Sequence, residues 1–80
     1  MAARLPDEPI PGAPLVEIID NYRVLVENHR GVTEYGLTLI RIKVKKGSVC
    51  VCGRDLKLSH MDRGQLIISG LIESIHFCRG

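Results

Sequence analysis

The chain has 80 residues, enough for one small domain, with 45% hydrophobic and 25% charged residues. Its net charge of +2 is too small to indicate nucleic-acid binding by itself. No apolar run approaches the roughly 18 residues that a membrane-spanning helix needs. The first residues lack the apolar stretch of a signal peptide, so we expect a cytoplasmic protein whose three cysteines are reduced.

The first fourteen residues contain all four prolines, which neither continue a helix nor donate to a β-ladder. We interpret residues 1–14 as a proline-rich disordered tail and residues 15–80 as a single all-β domain. Strand-like segments then follow, each bounded by glycine or polar turn residues: 15–19, 22–27, 32–35, 39–45, 48–52, 56–58, 65–69 and 71–78.

The segment 39–45 is the clearest of these strands. Ile40, Ile42 and Val44 fall on one face. The opposite face is basic and consists of Arg41, Lys43 and Lys45. This period-two alternation is typical of a half-buried antiparallel strand.

Many short strands with frequent turns predict a small antiparallel β-sandwich or open barrel of short strands. A β-solenoid-like stack is the alternative, because a glycine-bounded pattern at 47–53 recurs at 64–70. The alternation of the last strand slips near Glu73 and Ser74, which predicts a β-bulge there. The pattern predicts an aliphatic core with one aromatic residue: Val24, Val26, Ile40, Ile42, Val44, Val49, Val51, Leu56, Leu58, Leu66, Ile68, Ile72, Ile75 and Phe77.

Three segments, 24–32, 47–58 and 66–77, together resemble the YabP/YqfC sporulation family of endospore-forming Firmicutes, and the YabP branch in particular. The string Val-Glu-Asn-His-Arg-Gly-Val at 26–32 is the most specific part. The resemblance implies a small protein made in the mother cell during sporulation. Family members tend to be encoded beside a polytopic membrane protein, which implies an integral-membrane sporulation partner, and no enzymatic activity is attached to the family.

The three cysteines, Cys50, Cys52 and Cys78, and the three histidines are residue types that bind zinc, but their spacing does not indicate a zinc site. A Cys-x-Cys pair on a flat strand does not match the spacing of structural zinc ligands. We expect the cysteines to be small buried side chains, and we expect no metal and no cofactor. The serines lie in or beside strands and none occupies a nucleophile elbow, so we expect no catalytic site.

Two polar groups are candidates for binding. Asn28, His29, Arg30 and Gly31 form a predicted turn that is either structural or a loop for a protein partner, with Arg30 as a forked donor. The basic face of 39–45 is either a solvated surface or an anion-binding one. A nucleic-acid-binding β-barrel that uses this face is the alternative function, but it lacks aromatic residues for base stacking, so we do not favour nucleic acid as a partner.

We therefore expect a non-catalytic structural or adaptor protein required for endospore formation. It would act through exposed strand edges, either by forming a homo-oligomer or by binding a membrane-linked partner. In the second case it would be associated with the membrane. Leu25 and Ile67 fall on the outer faces of their predicted strands and suit such an interface.

Overall fold

The computed structural model describes residues 12–79, and within this range the chain is entirely β-structure and connecting turns. The six strands are β1 (Leu15–Ile19), β2 (Arg23–Glu27), β3 (Val32–Tyr35), β4 (Leu39–Val44), β5 (Gly47–Met61) and β6 (Gln65–Arg79). They form one open antiparallel sheet with the order β1-β2-β6-β5-β4-β3. The predicted all-β antiparallel class is confirmed, and residues 12–79 include no helix able to cross a membrane.

The prediction of a tail at 1–14 falls mostly on residues 1–11, which lie outside the described residues. Strand β1 begins at Leu15, the position at which the domain was expected to start.

The hairpin β5–β6 forms the centre of the sheet. Both strands are 15 residues long, so the prediction of separate strands at 48–52 and 56–58, and again at 65–69 and 71–78, is wrong. Glycines that indicated breaks instead permit close contact between the two strands. A Cβ atom at Gly53 would collide with the carbonyl oxygen of Leu71, and one at Gly70, whose φ is +134°, would lie 2.6 Å from the carbonyl oxygen of Asp55.

Irregular pairing bends this hairpin. The register shifts three times along β5, between residues 52 and 60. At the first shift Cys52 pairs with Ser74 and Gly53 pairs with Ile72, which leaves Glu73 as the extra residue of a bulge. The predicted bulge near Glu73 is therefore confirmed, and such bulges increase the local twist of a sheet.

The remaining strands join opposite ends of the bent hairpin. Strand β2 pairs with β6 over 65–69, next to the β5–β6 turn. Strand β4 pairs with β5 over 47–52, at the other end. Strands β1 and β3 add to these and form the two outer edges of the sheet.

The core lies on the concave side of the sheet. Side chains of β2 and β4 belong to one buried cluster although these strands are not neighbours, so the sheet curves around a single core. The cluster consists of Val24, Val26, Ile40, Ile42, Val44, Val49, Val51, Leu56, Leu66 and Ile68. All ten were predicted, because each lies on the apolar side of an alternating strand.

The other predicted core residues lie toward the rim. Leu58, Ile72 and Ile75 are partly buried and pack against the cluster. Phe77 was expected in the core but is 58% exposed. It pairs with Val49 and so shares the face of a buried residue, yet it lies near the end of β6, where nothing among the described residues covers it.

Candidate functional site

The two sequence-predicted candidate sites are neighbours in space. The backbone N–H of Arg30 donates to the carbonyl oxygen of Lys43 at 2.6 Å, and the N–H of Lys43 donates to the carbonyl oxygen of Gly31 at 2.8 Å. The loop before β3 thereby extends the antiparallel ladder on the outer side of β4. These bonds bring Arg30 beside the basic face of β4.

His29 holds this loop to the rest of the protein. Its side chain is buried, and Nδ1 accepts a hydrogen bond from the backbone N–H of Gly31 at 3.0 Å. Since Nδ1 is the acceptor, Nε2 carries the proton and donates to the carbonyl oxygen of Asp62 at 2.8 Å. His29 therefore ties the loop to the β5–β6 turn and presents no free group to a partner.

Asn28 and Gly31 also have structural roles. Asn28 has a φ of +63°, its N–H donates to the carbonyl oxygen of Gly64, and its side-chain amide donates to the carbonyl oxygen of Ala13 at 2.8 Å. Gly31 has a φ of +114°, a conformation that side chains disfavour. Within the predicted loop of four residues, this leaves the exposed Arg30 side chain as the group available for binding.

A concavity of about 340 Å³ opens where this loop meets β4 and the β4–β5 turn. Its lining combines basic and hydroxyl side chains with one apolar residue and one glycine: Arg30, Thr33, Arg41, Lys43, Val44, Lys46, Gly47 and Ser48. We call this surface the basic concavity. Among residues 12–79, its lining contains four cationic side chains and no carboxylate.

Arg41 is the member of the basic concavity with charged and polar partners. Its Nε lies 3.8 Å from a carboxylate oxygen of Glu34, with both side chains about half exposed. The pKa of Arg41 is raised above its ordinary value, first by a hydrogen bond to Cys50 and then by electrostatic attraction to Cys50 and Glu34. Within residues 12–79 the side chains of Arg30, Lys43 and Lys46 form no salt bridge.

Lys45 was predicted to share the basic face with Arg41 and Lys43. It lies beyond the end of β4, is half-buried, and is not part of the lining. A Cβ atom at Gly12 would lie 3.8 Å from its Cδ, so its side chain runs beside the start of the described chain. Lys46, which has a φ of +68° in the β4–β5 turn, does line the basic concavity.

The comparison with known proteins bears on the whole domain. The model of the YabP family matches residues 13–80, a range that includes every strand and the basic concavity. The chain belongs to the YabP family. It is also similar to the uncharacterized protein YqfC of Bacillus subtilis (strain 168), with 18% identity over 76 residues that cover 95% of this chain and 82% of that protein. No solved structure matches the chain.

The cysteines of this YabP-family chain lie on the convex face of the β5–β6 hairpin. Cys50 pairs with Arg41 on one side and His76 on the other, while Cys78 pairs with Ser48. Cys50 is buried and Cys52 half-buried, but Cys78 is exposed, so the expectation of buried cysteines is wrong for Cys78. In the described part of the chain, no three histidine, cysteine or acidic side chains are grouped so that they could hold a metal ion.

The β5–β6 turn, which receives the His29 hydrogen bond, is organised by the side chain of Asp62. Its carboxylate accepts hydrogen bonds from the ring of His60 at 3.1 Å and from the backbone N–H groups of Gly64 at 3.1 Å and Gln65 at 3.0 Å. These bonds, that of His60 first and that of Gly64 next, hold the pKa of Asp62 below its ordinary value.

Proposed function

We propose that this chain is a non-catalytic structural or adaptor protein of endospore formation that acts by associating with a second copy of itself. Membership of the YabP family supports the proposed role in endospore formation. We also propose that it belongs to the YabP branch and acts in the mother-cell cytoplasm, next to a membrane-linked partner, as its sequence resemblance implies.

The observation that carries the proposal is the exposed edge of β1. Strand β1 pairs with β2 on one side, and no strand of the described chain covers its other side. Leu15, Ile18 and Ile19 are exposed along it, with Ile18 at 55%. Glu17 is its one charged residue, so the edge lacks the lysines and prolines that commonly prevent strand addition.

The other outer edge is a poorer template for strand addition. Strand β3 has a register shift between Val32 and Glu34, and such irregularity discourages pairing with a further strand. Strand β1 instead pairs with β2 through five consecutive regular positions. A regular strand offers evenly placed backbone donors and acceptors to an incoming chain.

A second copy suits the β1 edge for two physical reasons. Two identical strands related by a two-fold axis pair antiparallel, so the same edge serves both subunits. A domain of this size also buries only about 60% of its unfolded surface, and covering the apolar side chains of β1 adds burial that one copy lacks.

The outer face next to β1 could extend the contact. Leu25 pairs with Glu17 on one side and Ile67 on the other, and both apolar side chains are half-buried. These positions agree with their predicted outward orientation, and their use in an interface remains part of the proposal.

The test compares two lysine substitutions by analytical ultracentrifugation over a wide range of protein concentration. We expect wild type to dimerise and Ile18→Lys to remain monomeric, because the charge would be buried at the paired edge. Leu37→Lys is the matched control, since Leu37 is 68% exposed and lies outside β1.

Heat-resistant spore counts then link the assembly to the process. A deletion strain complemented with Leu37→Lys should form spores as wild type does, while Ile18→Lys should not. A wild-type protein that stays monomeric at every concentration refutes self-association. If the wild-type protein is monomeric and Ile18→Lys still fails to restore heat-resistant spores, the β1 edge is instead assigned to the membrane-linked partner.

A further inference from the structure

We propose that the basic concavity is a binding site for a phosphate group, held by Arg30, Arg41, Lys43 and Lys46. This site goes beyond the proposed function, because pairing through the β1 edge uses none of these residues.

The charge distribution is the first argument. In the part of the chain that the structure describes, four cations and no carboxylate line one concavity, and Glu34, which lies outside the lining, is 3.8 Å from Arg41. Like charges gathered in a recess repel one another and raise the local concentration of anions. Arg30, Lys43 and Lys46 form no salt bridge within residues 12–79, so their charges are available to a ligand.

The donor chemistry is the second argument. Arg30 and Arg41 each offer a planar fork of N–H donors, which matches the oxygens of a phosphate group. Lys43 and Lys46 add two compact point charges, and Ser48 adds a hydroxyl. Four positive charges balance a doubly charged phosphate better than a singly charged carboxylate.

The size and walls of the concavity narrow the ligand class further. A volume of about 340 Å³ lies at the small end of ligand-binding pockets, which run from about 300 to 1,000 Å³. The lining has no aromatic ring on which a base could stack and one apolar side chain, Val44. It is therefore suited to a phosphate group on a small carrier or a lipid headgroup, and poorly suited to single-stranded nucleic acid.

The backbone around the site is held in place before any ligand arrives. Arg30 lies between His29, whose ring is hydrogen-bonded on both sides, and Gly31, whose carbonyl oxygen accepts from Lys43. Lys46 occupies the tight turn between two paired strands. A binding loop that is already ordered loses less conformational entropy when a ligand binds.

The test is a titration of the full chain with inorganic phosphate, followed by ¹⁵N–¹H NMR. We expect saturable shifts of the backbone amides of residues 30–33 and 43–48, and weaker shifts with acetate at the same concentration. The double variant Arg30→Gln/Lys43→Gln should raise the Kd about tenfold or more, because it removes two charge-assisted contacts. The matched control is Arg23→Gln/Lys57→Gln, which removes the same net charge from exposed strand positions outside the concavity and should leave the Kd nearly unchanged.

Each of three results of this titration would refute the proposed phosphate site. The first is that phosphate causes no saturable amide shifts, and the second is that both double variants lose phosphate affinity equally. The third is that acetate binds as tightly as phosphate. A single-stranded DNA oligonucleotide that binds more tightly than phosphate, and is weakened equally by both double variants, would likewise show a general effect of charge.

Sedimentation with phosphatidylglycerol vesicles distinguishes the source of the phosphate group. If wild type and the control variant bind the vesicles and Arg30→Gln/Lys43→Gln does not, the site is assigned to a lipid headgroup. Phosphate binding without vesicle binding assigns it to a soluble phosphate compound. Ile18→Lys should keep its phosphate affinity, so failure of β1 pairing and failure of this site are separate results.

Discussion

Replacing His29 with alanine should destabilise the fold although His29 is a polar residue at the end of a loop. The imidazole is 8% exposed and bridges two distant parts of the backbone, the N–H of Gly31 and the carbonyl oxygen of Asp62. Alanine leaves both backbone groups without their partner. It also removes the side-chain link between the loop before β3 and the β5–β6 turn, and leaves the backbone bond from Asn28 to Gly64 to hold them together.

The magnitude follows from these two bonds and the buried ring. A hydrogen bond contributes about 0.5–1.5 kcal/mol net, and a donor left unsatisfied in a partly buried place costs about 1–3 kcal/mol. His29→Ala should therefore lower the free energy of unfolding by about 2–4 kcal/mol. Small domains have about 0.05–0.15 kcal/mol of stability per residue, so the loss is a large fraction of the total.

Urea unfolding followed by far-ultraviolet circular dichroism measures this loss. The control is His76→Ala, because His76 is exposed on β6 and such surface changes usually stay within about 0.5 kcal/mol. Long-range ¹⁵N–¹H spectra of wild type should also show His29 protonated on Nε2. A His29→Ala variant as stable as His76→Ala, or a proton found on Nδ1, would refute the bridging role.

Two further predictions concern the β5–β6 hairpin. Gly53→Ala should lower the free energy of unfolding in urea by at least about 1–3 kcal/mol, because the added Cβ meets the carbonyl oxygen of Leu71. Gly64→Ala is the control and should lower it less, since open space surrounds the added Cβ. Equal losses in the two variants would contradict the close approach of the strands at Gly53. Since the pKa of Asp62 is lowered in the folded state, first by His60, its carboxylate stabilises the fold above the unfolded pKa of about 3.9, and this contribution is lost as the pH falls through the lower folded value. The difference in urea midpoint between wild type and Asp62→Asn should therefore be full at neutral pH and shrink below about pH 4, and a difference independent of pH would refute the assignment.

The strands that the sequence predicts well are those whose two faces differ in chemistry. In β4 the buried Ile40 and Ile42 alternate with the exposed Arg41 and Lys43, so a local pattern is sufficient. The continuity of β5 and β6 was missed because Gly53 is typical of a turn when read locally. Its actual role depends on the carbonyl group of a strand that is distant in sequence.

The candidate site was predictable in its parts and not in its assembly. Arg30 and Lys43 were each singled out, but their proximity depends on a backbone bond between a loop and the outer side of β4. Lys46 lines the concavity and Lys45 does not, and Lys46 adopts a left-handed conformation in the β4–β5 turn that strand alternation does not predict. His29 was placed in a binding loop because burial of a loop histidine leaves no periodic signal in the sequence.

The order of strands in the sheet also determines when the protein can fold during its synthesis. Strands β3, β4 and β5 are neighbours in sequence and in space, so they can pair as soon as they leave the ribosome. Strand β2 has to wait for its main partner, since Val24 pairs with Ile68, 44 positions later. Contacts so distant in sequence slow folding, and until residues 65–69 are made, the apolar side of β2 stays uncovered in the nascent chain.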